Sequence, residues 1–150
     1  MLSSLQQRIT GDMKSAMRAK EKDRLMTIRN ILAAIKQQEV DTRESLDDTA
    51  VLAIVDKMCK QRRESISQFS DAGRDDLVAQ EELELGFLQD YLPEAMSDTE
   101  VQALIQEALK ATGASSMKDM GSVMAYIKPK AQGRADMGKI SGLIKSAIGS

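Results

Sequence analysis

The chain has 150 residues, a formal charge of −2, 42% hydrophobic and 29% charged residues, a composition that fits one ordinary folded domain or two small ones and excludes a disordered chain. It has no histidine and one cysteine, Cys59, which excludes an internal disulfide, zinc fingers, and Ser-His-Asp or Cys-His nucleophiles. The longest apolar run, Ala50 to Val55, has six residues against the roughly 20 that span a bilayer, and Met1 is not followed by a basic and apolar signal segment, so a soluble cytoplasmic protein with no membrane partner is expected.

Helical spacing recurs along the whole length. Leu2, Leu5, Ile9, Met13, Ala16 and Met17 fall at three- and four-residue steps on one face of a first helix. A second begins near Lys22 with the stripe Leu25, Ile28, Leu32 and Ile35, and polar Lys36 to Arg43 lead out of it. Ser45 with Asp48 reads as a variant capping box for a long third helix through Val51, Ile54, Val55, Met58, Arg62, Ile66 and Phe69 that stops near Gly73. A fourth runs from about Asp75 to Leu92. Pro93 lacks a backbone donor and disfavours helix in the residue before it, which places a domain boundary between residues 1–92 and 93–150.

Beyond it, Ser97 and Glu100 form a capping box for Val101, Leu104, Ile105, Ala108 and Leu109, and Gly113 suits a left-handed cap. Ser116 with Asp119 repeats the device before Met120, Val123, Met124 and Ile127, and Asp136 is placed to cap a last helix with Ile140, Leu143, Ile144, Ala147 and Ile148. The expected fold is all-α, a four-helix N-terminal domain followed by a small three-helix C-terminal domain.

From Gly113 onward there are six basic residues and two acidic ones, with six of the nine glycines. The segment from Lys128 to Asp136 reads as a basic loop between two helices, with Gly133 permitting a turn and the next helix N-terminus open to an anion. The alternative is a solvated turn in which Asp136 caps its own helix. Gly138, Gly142, Lys145 and Gly149 lie near one face of the last helix, opposite its apolar stripe, where a second backbone or a packed helix could approach. Lys57, Lys60, Arg62 and Arg63 on the third helix, and the acidic run Asp75, Asp76, Glu81, Glu82 and Glu84, read as solvated faces. No residue set reads as catalytic, no phosphate-cradling glycine motif is present, and no cofactor is expected.

The stretch Asp119-Met120-Gly121-Ser122-Val123-Met124, continued by Lys128-Pro129-Lys130-Ala131-Gln132-Gly133-Arg134-Ala135-Asp136, resembles the YqeY family, which is related to the tail domain of the GatB subunit of tRNA-dependent amidotransferase. Lys60-Gln61-Arg62-Arg63-Glu64-Ser65, the Phe69-Ser70 and Arg74-x-Asp76-Leu77 region, Tyr91-Leu92-Pro93-Glu94 and Gly113-Ala114-Ser115-Ser116 extend the likeness over essentially the whole chain. In GatB the related tail grips the tRNA body, and the chemistry resides elsewhere. The resemblance implies an accessory protein without its own catalytic site, whose partners are tRNA or another structured RNA and a tRNA-linked enzyme, with no DNA. It points to Gly121, Lys130, Gly133, Arg134, Asp136 and the small-faced last helix, including Gly142, as the contact region. Lys128, Lys139 and Lys145 join them on charge grounds. A component of a glutamine-dependent carbon–nitrogen ligase and a protein-binding adaptor stay open as alternatives.

Overall fold

The computed structural model describes residues 2–148. Among the described residues there are seven α-helices, one short 3-10 turn and no strand, which makes the fold all-α: α1 (Ser4–Ala19), α2 (Lys22–Thr42), α3 (Asp48–Asp71), α4 (Asp75–Gln89), α5 (Asp98–Thr112), α6 (Met120–Ala131) and α7 (Met137–Ile148), with the 3-10 turn at Met117–Asp119 before α6. Residues up to Leu92 form one compact unit and those from Pro93 a second.

In the first unit α1 packs on α2 and α3 on α4, with α2 also against α4. The core is Ile9 and Ala16 from α1, Ile28, Ile31 and Ile35 from α2, Val51, Ile54, Val55 and Cys59 from α3, and Leu88 from α4. Their three- and four-residue spacing puts each set on one helix face. Burying an aliphatic side chain of this size contributes about 1.5–3 kcal/mol before chain entropy offsets it.

Three helix boundaries differ from the expectation, the simplest being α4, which ends at Gln89, three residues short of Leu92. α2 continues through the polar stretch as far as Thr42, where the Gln37 amide donates to Asp41 at 2.9 Å and the chain stops on left-handed Arg43, φ 59°. The apolar stripe ends at Ile35 because the core ends there, while the backbone hydrogen bonds carry on. At α3 the N-cap is Asp47, which accepts the Ala50 N–H at 2.8 Å. Asp48 is used differently: its carboxylate accepts the Leu5 N–H at 2.9 Å and the Ser4 hydroxyl at 2.8 Å, satisfying donors at the start of α1. Those bonds hold the Asp48 carboxyl below the usual range, the Leu5 N–H contributing most.

In the second unit Val101, Leu104, Ile105 and Ala108 of α5, Val123, Ile127 and Ala131 of α6, and Ile140, Ile144 and Ile148 of α7 form the core. Ser97 and Glu100 exchange capping bonds at 3.2 Å each, and Gly113 closes α5 at φ 66°. Asp119 accepts the N–H groups of Ser115 and Ser116 at 2.9 and 3.2 Å. Backbone donors lower both carboxyls, that of Ser97 at Glu100 and that of Ser115 at Asp119.

Candidate nucleic-acid interface

The basic segment expected to be a loop divides into two parts. Lys128 and Lys130 belong to the last turn of α6, which contains Pro129, and the connection to α7 is the turn Gln132 to Asp136. Pro129 brings no N–H, so α6 forgoes one backbone bond in its last turn, that to the Ala125 carbonyl. Gly133 supplies the left-handed turn residue, φ 79°.

The two cations that the resemblance put forward are tied down inside the unit. Arg134 donates through Nε to the Glu94 carbonyl at 2.8 Å and through a terminal nitrogen to Glu100 Oε2 at 3.4 Å, while its own carbonyl accepts the Met96 N–H at 2.8 Å. It therefore staples the segment before α5 to the α6–α7 turn. Lys130 Nζ bonds the Tyr126 hydroxyl at 3.1 Å, lies 4.2 Å from that ring's centroid and pairs with Glu107 at 3.5 Å. The Tyr126 bond, with Glu107 behind it, raises the Lys130 ammonium above its ordinary range. Asp136 caps α7, accepting the Gly138 and Lys139 N–H groups at 2.8 and 3.4 Å, so these donors already face a carboxylate and not an external anion.

The remaining candidates point outward. Lys128, Lys139 and Lys145 are exposed, and none has an ion-pair partner among the described residues. At 100° per residue, Gly138, Gly142 and Lys145 fall within about 60° on α7, flanked by exposed Lys139 and Ser146 and opposite buried Ile140 and Ile144. Gly121 and Lys128 share the exposed face of α6 in the same way. A Cβ added at Gly121 or Gly142 would meet nothing within 4 Å, so internal packing does not require glycine there; at Gly138 it would meet Asp136 Oδ1 at 3.1 Å. Gly149 lies outside the described residues.

Two features of the first unit were not legible as such. Arg62, read as part of a solvated face, is half-buried and lies 3.6 Å from Glu81 and 3.8 Å from Glu84 of α4; those acids are correspondingly drawn inward. Burial pushes the Glu84 carboxyl up, against the opposing pull of Arg62. A cavity of about 290 Å³ is lined by Arg8, Asp12, Arg24, Ile28, Phe87, Asp90 and Tyr91. Several of its polar groups are bonded: the Tyr91 hydroxyl donates to Asp12 at 2.7 Å, Arg8 donates to the Asp90 carbonyl at 3.1 Å and lies over the Tyr91 ring, and Arg24 lies 3.9 Å from Asp12 and pairs with Glu21 outside the cavity at 3.0 Å. Asp12 and Tyr91 are 79 residues apart, beyond the reach of any local pattern. Cys59 is fully buried and its thiol is pushed up by desolvation, which makes it a core residue and no nucleophile.

Comparison with known proteins gives the family. The profile of Yqey-like protein matches residues 6–148. The chain belongs to the YqeY family. Among curated members of similar sequence, Altered inheritance of mitochondria protein 41, mitochondrial, of Pyrenophora tritici-repentis is 32% identical over 146 residues, covering 95% of this chain and 80% of that protein. The protein of the same name in Eremothecium gossypii is 48% identical over 82 residues, 54% of this chain and 45% of its own length. That of Saccharomyces cerevisiae is 35% identical over 94 residues, 62% and 51% respectively. The chain thus spans about half the length of some relatives and four-fifths of another. These names overturn the cytoplasmic expectation, since each describes a mitochondrial protein. Its physical basis was too narrow: a short apolar run bears on membrane insertion and does not distinguish one aqueous compartment from another.

Proposed function

We propose that the C-terminal unit binds structured RNA, with tRNA as the expected class, through the outward faces of α6 and α7, and that the protein is an accessory to a tRNA-linked process. The observation that carries this reading is the set Lys128, Lys139 and Lys145, three exposed ammonium groups without ion-pair partners among the described residues, beside glycines whose outer side is open. A rigid helix surface with few side chains lets a sugar-phosphate backbone come close, and the lysines then meet phosphates. Helical RNA hides its major-groove edges, so recognition is by shape and backbone. The family resemblance to the GatB tail supports tRNA over other folded RNAs. Lys130 and Arg134 act in this reading as positioning residues, which hold α6, α7 and the segment before α5 in register.

A filter-binding titration of tRNA over a range of salt tests it. Reversing the three exposed lysines together (Lys128→Glu, Lys139→Glu, Lys145→Glu) is expected to weaken binding by about 100-fold or more at low salt and to flatten the logarithmic salt slope by about 2 to 3, the share of three phosphate contacts. Unchanged affinity and slope in a folded triple variant would remove the α6 and α7 faces from the account.

A further inference from the structure

We propose that the outward face of α2 docks, antiparallel, on the outward face of α4 in a second copy of this chain. The first unit is electrically divided. Residues 1–43 hold nine Lys/Arg and five Asp/Glu, whereas residues 44–92 hold five and twelve. The α1–α2 pair therefore carries an excess of four positive charges and the α3–α4 pair an excess of seven negative ones.

The division is sharpest on two ridges. Lys22, Met26, Arg29, Ala33, Lys36 and Val40 follow each other at steps of three and four residues, within about 80° of arc, and all are exposed. Met26 and Val40 are the most exposed of the large hydrophobic residues in the described chain, at 56% and 63%. On α4 the exposed ridge is Asp75, Ala79, Glu82 and Gly86, with Asp90 just past its end. Lys22, Arg29, Lys36, Asp75, Glu82 and Asp90 have no ion-pair partner among the described residues. Both ridges lie opposite the buried residues of their own helices, Ile31 and Ile35 on α2 and Leu88 on α4, so each faces away from the core.

Laid antiparallel, the ridges match in charge and in size. Lys22 meets Asp90, Met26 meets Gly86, Arg29 meets Glu82, Ala33 meets Ala79 and Lys36 meets Asp75. The large exposed side chain falls on the residue without one, and three cations fall on three acids. The antiparallel arrangement also sets the positive end of each helix dipole beside the negative end of the other. This register also gives Gly86 a purpose. A glycine inside an exposed helix weakens it, and a Cβ at that position would touch nothing within 4 Å, so the unit's own packing does not call for it. The charge complement for the α2 ridge is thus present in the same sequence, which selects a second copy over an unrelated acidic partner. The contact involves unlike faces, and each copy carries one of each.

The test is sedimentation velocity of the full, ribonuclease-treated chain from micromolar to near-millimolar concentration at low and high salt. Concentration-dependent association at low salt that weakens at high salt is expected. Arg29→Glu and Glu82→Arg, both at exposed positions, should each weaken it by about tenfold or more by placing like charges together, and mixing the two variants should restore it, because the reversed partners then meet across the contact. Gly86→Leu, which fills the hollow without altering charge, should weaken it as well and serves if a charge variant loses its helix signal by circular dichroism. A monomer at every concentration, a mixture no more associated than either variant alone, or association that appears only when RNA is added overturns the proposal; the last outcome would assign the α2 ridge to RNA.

Discussion

The α6–α7 turn and the outward faces of the helices beside it contain the same kinds of residue and use them in opposite ways. In the turn, Arg134 is committed to Glu94 and Glu100, and Lys130, one helical turn earlier, to Tyr126 and Glu107. On the faces, Lys128, Lys139 and Lys145 are held by no partner among the described residues. A basic motif read along the chain combines these two populations. A cation with two or three internal acceptors maintains the shape of its unit, and one without them is available to an external anion.

Substitutions can break this comparison, beginning with the largest expected effect on stability. Arg62→Ala in the first unit leaves Glu81 and Glu84 half-buried without their cation and should cost about 2–3 kcal/mol at neutral pH in urea denaturation. Its deficit should shrink as pH falls through the raised range of the Glu84 carboxyl. The Glu84 carboxyl is already raised by burial, so its contribution is complete while it is protonated and is lost as pH rises through the raised value. Arg134→Ala removes a charge-assisted bond at a partly exposed site and should cost about 1 kcal/mol, with a less than threefold change in tRNA affinity once the protein is kept below its unfolding temperature. A large loss of affinity with unchanged stability would show that Arg134 belongs to the binding face after all.

Gly142→Ala should act in two directions at once. The helix gains up to about 1 kcal/mol from the better helix former, measurable as a higher urea midpoint, and tRNA binding weakens a few-fold because the open face acquires a methyl group. Lys145→Ala alone has the smallest expected effect, a stability change within about 0.5 kcal/mol and a reduction of the salt slope by about 1.

Much of the fold was legible because helix caps are local. Ser97 with Glu100, Gly113, and Asp136 before α7 each act within a few residues, and the structure uses all of them as their spacing indicates. The places where the reading differed involve a partner distant in sequence. Asp48 serves Ser4 and Leu5, 44 and 43 residues away, and Arg62 reaches α4, so a carboxylate that resembled half of a capping box and a run that resembled a solvated face both turned out to join helices. The end of α2 differed for another reason, since loss of apolar periodicity marks where the core stops and not where the backbone does. In the candidate interface, residue type and helix face were legible for Gly142 and Lys145, whereas Lys128 was read as part of a loop and lies in the last turn of α6. The internal ties of Lys130 and Arg134 were not, because Glu107 and Glu100 come from α5.

Pro129 has a consequence for the backbone of α6. Without an N–H at that position, the Ala125 carbonyl one turn earlier loses its usual helical donor, and Ala125 is exposed near Gly121 and Lys128. The last turn of α6, which carries Lys128 and Lys130, is therefore held by one backbone bond fewer than a proline-free turn of the same length.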